Sequence, residues 1–373
     1  MAHPATCNAA VLNRFGGPLE MREVRVPQAP EPGALIVRVD VTTLCGSDVH
    51  TWQGNLAPNL PVRPPLILGH EIVGVVEAIG AGADRDSVGT PLAVGDRVIW
   101  EHEACGHCHW CTVAREPTLC PNRRVGMFYN CETPPYVVGG FAEYSYVWPG
   151  SGRVRVPDGV RSTWAAAASC ALRTVIMAFE RVGPIDPLSS VLVQGAGPLG
   201  LFATAVAAAH VGPEQLIVVG APDDRLKLAV RWGADQTISV EKNDRGARNQ
   251  IILDLTGGSG VDVLFEMSGG QDAFAEGIDV AGRNARYCVV GTLGGSPQAI
   301  PVAKITTRNL RIIGSLSGDV SSYYKALKFL ERFADRFDWD AMFSPPYALA
   351  DAEKALTNLR SMAEIKPTIM PQR

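Results

Sequence analysis

Residues 45–50 read CGSDVH, which brings a thiol, a hydroxyl, a carboxylate and an imidazole into six positions. His70 and Glu71 follow in the run GHE at 69–71. A lone cysteine is usually a small buried hydrophobe, and a lone histidine is usually satisfied by its neighbours. Thiolate and imidazole together are also what a transition metal takes as ligands. The choice between packing and one shared metal rests on what else the chain supplies.

Four of the nine cysteines crowd into CGHCHWCTVAREPTLC, where Cys105, Cys108, Cys111 and Cys120 stand at spacings of two, two and eight intervening residues. Four thiolates so spaced wrap one tetrahedral zinc with no coordination position left open, which makes a structural site rather than a reacting one. His107 and His109 lie between these ligands and compete poorly with four thiolates. A third pattern is GAGPLG at 195–200, a G-x-G-x-x-G that follows the strand-like run VLVQ and opens a run of small helix-forming residues. In that context Gly195 allows the tight turn, Gly197 the approach of a pyrophosphate, and Gly200 close packing of helix on strand. The helix N-terminus then meets the anion with free N–H groups. About twenty residues on, where a dinucleotide site normally offers an acid to the adenosine ribose, stands Gly220, with Asp223, Asp224 and Arg225 after it.

These elements need two frameworks. The chain has 373 residues, beyond the size at which one core stops growing, so two domains are expected. Up to about residue 160 the texture is β: Val37, Val39 and Val41 alternate with polar residues, and GVVEAIG and GDRVIW are short runs bounded by glycine. From residue 187 strands at 191–197, 216–220, 261–269, 286–291 and 310–316 are spaced by helical stretches, which predicts a parallel sheet covered on both faces. A last helix is expected over 323–335. The composition is 46% hydrophobic and 19% charged, that of an ordinary globular protein. A net charge of −4 gives no footprint for nucleic acid or anionic lipid. No run of about 18 apolar residues is seen and the first residues do not read as a secretory signal, so a soluble cytoplasmic protein with free thiols is expected.

With CGSDVH at 45–50, GHEIVGVVEAIG at 69–80, GDRV at 95–98, the four-cysteine lobe, GGFAEY at 139–144 and GAGPLG at 195–200, the chain resembles the zinc-dependent medium-chain alcohol dehydrogenases nearly end to end. The resemblance implies an α/β protein of two domains: a β-rich, GroES-like catalytic domain over 1–171 and 317–373, and a doubly wound Rossmann domain over 172–316. It implies a catalytic zinc on Cys45, His70 and Cys170 beside the structural zinc on Cys105, Cys108, Cys111 and Cys120. The polyol branch often has glutamate at the position of Cys170. Ser47 then contacts the substrate oxygen, His50 ends the proton relay, Asp48 holds the second ring nitrogen of His70, and Glu71 stands behind the metal. Gly195, Gly197, Pro198, Leu199 and Gly200 take the dinucleotide, Gly220 and Arg225 lie near its ribose, Thr174 and Val290 near the nicotinamide, and Lys366 near the pyrophosphate. Trp52, Trp100, Phe128, Tyr129 and Phe141 are expected around an apolar substrate pocket.

The implied activity is reversible hydride transfer between an alcohol, secondary and cyclic or medium-sized, and a nicotinamide cofactor, with the alcohol activated on a Cys/His/Cys zinc. NAD is expected, with NADP second, in a homodimer or homotetramer. A polyol or sugar-alcohol dehydrogenase is the alternative, and a zinc-free quinone or enoyl reductase a more distant one, since such a chain lacks Cys45, His70 and Cys170. One departure from the family pattern is the spacing before Cys120, one residue longer than usual, which requires a bulge in the lobe.

Overall fold

The computed structural model describes residues 3–56, 62–291, 297 and 299–373. They divide into two compact units: residues 1–173, 318–334 and 342–373 form the first, and residues 174–317 with 335–341 the second.

The first unit is built from two antiparallel sheets. Strands β1 (Thr6–Leu12), β2 (Leu19–Arg25) and β4 (Leu66–Ile67) make a three-stranded sheet in the order β2-β1-β4. The larger sheet contains β3 (Leu35–Thr43), β5 (Glu71–Ile79), β6 (Arg97–Trp100), β7 (Tyr144–Val147), β8 (Arg153–Arg155) and β15 (Thr368–Ile369). Its order is β15-β3-β5-β6-β8, with β7 also on β3. The valines at 37, 39 and 41 are wholly buried, and Arg38 and Asp40 between them are half-buried, as the alternation predicts. One register pair matters most. Thr43 at the end of β3 faces Glu71 at the start of β5. The residues just beyond those ends, Cys45 and His70, therefore emerge at the same edge. Thr368 faces Thr43 from the other side, which brings the residues before β15 to that edge as well.

The second unit is a parallel sheet of β9 (Ser190–Gln194), β10 (Gln215–Gly220), β11 (Gln236–Ser239), β12 (Val261–Glu266), β13 (Ala281–Val289) and β14 (Arg311–Gly314), in the order β11-β10-β9-β12-β13-β14. The order reverses between β9 and β12, the switch point at whose carboxyl edge ligands bind in doubly wound folds. Leu192, Ile217, Leu264 and Tyr287 bury one face against the helices Arg245–Leu255 and Ala273–Val280. Residues 335–341 return to this unit after the helix Val320–Arg332, because Phe337 and Trp339 complete an aromatic cluster with Phe202 and Trp232. The Trp232 and Trp339 rings lie 4.9 Å apart. The helical run Ser162–Val182 is long and apolar enough to cross a membrane by length and composition. Most of it is buried inside the protein and it carries Arg173, so it reads as core.

At the turn after β9, Gly195 has φ +119°, a conformation open to glycine. A Cβ on Gly200 would lie 1.8 Å from the Gly195 carbonyl oxygen, so the helix Pro198–Val206 rests on the turn with no room for a methyl group. Gly200→Ala is expected to destabilise the protein by about 3 kcal/mol or more, the upper end of ordinary overpacking. Denaturant unfolding followed by tryptophan fluorescence measures it, and an unchanged midpoint would mean that the turn relaxes freely.

Candidate metal centres and dinucleotide turn

Cys45 leaves β3 in extended conformation and caps the helix Gly46–Trp52. Asp48, in the first turn of that helix, is wholly buried. Its Oδ2 accepts the Cys45 backbone N–H at 2.9 Å, and its Oδ1 accepts the Gly69 N–H at 3.1 Å and faces His70 Nδ1 at 3.1 Å. One carboxylate thus holds both ligand-bearing turns and leaves Nε2 of His70 to face the metal cradle. Cys170 arrives from far along the chain, on a π-turn (168–172) that interrupts the long helix; such one-residue widenings often re-aim a side chain at a functional site. The donor atoms of Cys45, His70, Glu71 and Cys170 all lie within 4.8 Å of one another.

Their protonation states depend on each other. The Cys170 thiol hydrogen-bonds Cys45 and holds its proton affinity well down, while the same bond and burial push Cys170 well up. Burial disfavours a charged His70 ring, but the Asp48 carboxylate and Cys170 outweigh it and raise its proton affinity. Two half-buried cysteines sharing protons beside an oriented imidazole fit a soft divalent cation, whose binding displaces those protons. Glu71 sits behind them. Burial raises its carboxyl to about 7 against the pull of Lys366, whose Nζ lies 2.6 Å from it, and the Thr43 hydroxyl also donates to it.

The second cluster is formed by Cys105, Cys108, Cys111 and Cys120, with Sγ atoms within 4.8 Å. Cys108 caps the short helix His109–Thr112, its Sγ is 3.5 Å from that of Cys111 and 3.8 Å from that of Cys120, and the Cys105 N–H donates to Cys120 Sγ. Between Cys111 and Cys120, Arg115 adopts φ +56°. His107 and His109 are exposed and outside the cluster.

In the second unit Gly195 donates to the Val219 carbonyl at 2.7 Å, and Gly197 caps the helix that begins at Pro198 and Leu199. Among the described residues a Cβ on Gly197 would meet nothing within 4 Å, which leaves the helix N-terminus open to an anion and fits a pyrophosphate. Gly220 is packed on this turn: a Cβ there would come within 2.8 Å of the Ala196 backbone nitrogen. Thr174 is buried, Val290 is half-buried and its N–H donates to the Glu266 carbonyl. Arg225 is buried in the first turn of the helix Asp223–Arg231, and burial lowers its proton affinity. Asp223 pairs with Lys242, and Asp224 with Lys227 at 2.8 Å.

Two expectations need correction. Lys366 does not present its charge to a pyrophosphate: it is wholly buried in the first unit and is neutralised there by Glu71. Trp52 and Phe141 do not line a pocket either. Phe141 is fully enclosed in the core with Leu12, Ile67 and Leu68, and the Trp52 indole N–H donates to the Gly17 carbonyl at 2.8 Å. Trp100, Phe128 and Tyr129 are half-buried beside the cores of this unit. Ser47 is half-buried with Oγ 3.9 Å from Cys45 Sγ, and His50 is exposed at the last turn of the same helix. A residue passed over in the sequence is His102, whose ring centroid lies 6.3 Å from that of His70 and whose proton affinity is held well down by burial and by Arg123 and Arg173. Its position three residues before Cys105 is the only sequence signal for it.

Comparison with known proteins adds independent findings. Residues 31–158 match the alcohol dehydrogenase GroES-like domain, and residues 198–332 match the zinc-binding dehydrogenase domain. The chain is 35% identical over 342 residues to 5-exo-hydroxycamphor dehydrogenase of Pseudomonas putida, covering 91% of this chain and 92% of that one. Its fold is similar to an alcohol dehydrogenase of Thermotoga maritima, with a TM-score of 0.90, 31% identity and coverage of 98% and 100%. A zinc-binding dehydrogenase of Sinorhizobium meliloti, solved bound to NADP, has a TM-score of 0.83 at 26% identity, with coverage of 99% and 100%.

The triple role of Asp48 makes a direct test. Asp48→Ala is expected to weaken metal retention at the Cys45/His70/Cys170 cluster by roughly 10–100-fold, the usual effect of removing the group behind a ligating histidine. Competition with a chromophoric chelator measures it; unchanged retention would mean that His70 is oriented without Asp48.

Proposed function

The chain belongs to the zinc-type medium-chain dehydrogenases, and from that premise we propose that it is a zinc-dependent alcohol dehydrogenase that oxidises secondary alcohols, cyclic or medium-sized, with NAD. The observation that carries the reading is the convergence of Cys45, His70 and Cys170 within 4.8 Å, together with an oriented imidazole. Two thiolates and an imidazole leave a fourth position for substrate, the arrangement of catalytic rather than structural zinc. A zinc held by Cys45, His70 and Cys170 would supply a Lewis acid for an alcohol oxygen, and a nicotinamide held by the other unit would supply the hydride acceptor. The chain's own part is to hold and to move a proton. Ser47 accepts it beside Cys45, and the exposed ring of His50 delivers it to solvent. Glu71 stays behind the ligands as a further oxygen donor, held by Thr43 and Lys366. The four-cysteine cluster carries a second, structural zinc.

In the other unit Gly195, Gly197, Pro198, Leu199 and Gly200 take the pyrophosphate, Gly220 and Arg225 attend the ribose, and Thr174 and Val290 the nicotinamide. The named substrate of the Pseudomonas relative is a cyclic secondary alcohol, which supports that class here. Trp100, Phe128 and Tyr129 remain the pocket candidates of this chain. Nine free cysteines support a cytoplasmic protein. The strand β14 is exposed along its length, with Ile312 at 39% and Leu316 beyond it at 43% exposure, which supports a homodimer closed by pairing of two such edges. Light scattering that finds a stable monomer at micromolar concentration would refute it.

Metal analysis is expected to find about two zinc ions per chain, and about one in either Cys105→Ser or Cys170→Ala. Cys170→Ala should lose turnover yet keep dinucleotide affinity, because the glycine turn lies on other residues. His50→Ala should be milder, within the roughly 10²–10⁴-fold ceiling of acid–base catalysis. Substantial turnover in Cys170→Ala would refute the catalytic assignment.

Cofactor choice follows from Gly220. The Ala196 backbone leaves no space there for the acidic side chain that would repel a 2′-phosphate. On the other side, Asp223 offsets Lys242, so no uncompensated cation is gained for NADP from that pair. NAD is expected to be preferred with weak discrimination, measured as the ratio of kcat/KM for the two cofactors. A preference for NADP above about 100-fold, some 2.7 kcal/mol, would overturn the assignment.

A further inference from the structure

Glu266 is the last residue of β12 and is wholly buried. No motif singles it out. Its Oε1 accepts the Ser268 N–H at 2.8 Å, the Ser268 hydroxyl at 2.6 Å and the Gly269 N–H at 2.8 Å. Its Oε2 accepts the Gly291 N–H at 3.2 Å, and its backbone carbonyl takes the N–H groups of Val290 and Gly291 at 3.0 Å each. The chain leaving β12 and the chain leaving β13 are thereby stapled to one carboxylate.

Those two segments stand beside the glycine turn. β12 lies next to β9, with Glu266 opposite Gln194, the residue before Gly195. A Cβ on Gly195 would lie 3.0 Å from the Ser268 nitrogen, and one on Gly291 would lie 2.5 Å from the Gly269 nitrogen. The contacts are backbone to backbone, so a shift of either segment is felt at the turn. Burying a carboxylate costs several kcal/mol unless its oxygens are satisfied, and here backbone donors and one hydroxyl satisfy them. An apolar side chain would fill the same volume without that cost. What the carboxylate adds is direction: it fixes three backbone N–H groups belonging to two loops.

We propose that Glu266 is a positioning residue for the dinucleotide: it holds residues 268–269 after β12 and 290–291 after β13 in place before the cofactor arrives. Ordering a loop on binding subtracts from affinity, so a site formed in advance binds more tightly with no added contact. The inference rests on the dinucleotide reading of the Gly195–Gly200 turn, and the test separates the two.

NADH and NADPH are titrated into the zinc-loaded full chain, with nucleotide fluorescence as the readout, and the tighter of the two is carried forward. Glu266→Gln keeps the volume but turns an amide N–H₂ toward donors. It is expected to weaken binding by about 10-fold or more, through lost preorganisation. The KM for the dinucleotide rises with it and the KM for the alcohol does not. Zinc content and the melting midpoint of the cofactor-free protein stay close to wild type, while the amides of Gly269 and Gly291 exchange hydrogen faster. A purely structural role would lower the midpoint and leave the affinity of the folded fraction intact. Ser268→Ala removes one donor to the carboxylate and should weaken binding about threefold by the same route; it decides the question if Glu266→Gln does not fold. Affinity within twofold of wild type in the folded variant overturns the proposal. Wild-type protein that binds neither nucleotide overturns the functional reading instead.

Discussion

The first unit depends on a single buried carboxylate. Asp48 accepts the backbone of Cys45, the backbone of Gly69 and the ring of His70. A charge in that position is tolerable only when every oxygen is satisfied, and satisfying it forces the turn after β3 and the turn before β5 into one arrangement. The sheet exists, for this purpose, to keep those two turns adjacent. The valines of β3 and β5 supply the burial, the Thr43–Glu71 register supplies the alignment, and Lys366 neutralises the second acid at the same edge.

In the second unit the governing constraint is steric rather than electrostatic. Gly200 and Gly220 press on the turn at 195–196 from two sides, each with too little space for a Cβ. That crowding shapes the helix end at Gly197 and leaves no room for a side chain at residue 220. The packing that forms the turn therefore also holds residue 220 to glycine. The turn is compact because the residues that press on it, Gly200 and Gly220, carry no side chain.

How much of this was legible beforehand varied with the kind of signal. The parallel strands at 191–194 and 216–220 were plain because strands buried on both faces read as unbroken apolar runs. β11 escaped, since QTIS is short and begins exposed, and only the later half of β13 was visible because AGRNA is polar. The four-cysteine lobe announced itself through local spacing. Cys170 stands 100 residues after His70 in an apolar helical run and could be assigned only through resemblance. Lys366 was misread because a sequence shows a charge but not its partner, here 295 residues away and brought close by β15. Trp52 and Phe141 were misread for a related reason: aromatic residues look alike whether they face a ligand or a core. Glu266 and His102 were invisible, since their surroundings are set by backbone donors and distant side chains.

The discontinuity of the first unit has a consequence for the order in which the molecule is made. β3 and β5 are synthesised early, but the edge strand β15 that pairs with β3, and the lysine that neutralises Glu71, belong to residues 366–369. The whole second unit, residues 174–317 and 335–341, is translated between them. A ribosome-bound chain therefore holds Cys45, His70 and Cys170 for some time with Glu71 lacking its counter-ion. Glu71, beside the Cys45/His70/Cys170 cluster, therefore gains its counter-ion only after the parallel sheet has been produced, whereas the four cysteines of the second cluster are all present once residue 120 has left the ribosome.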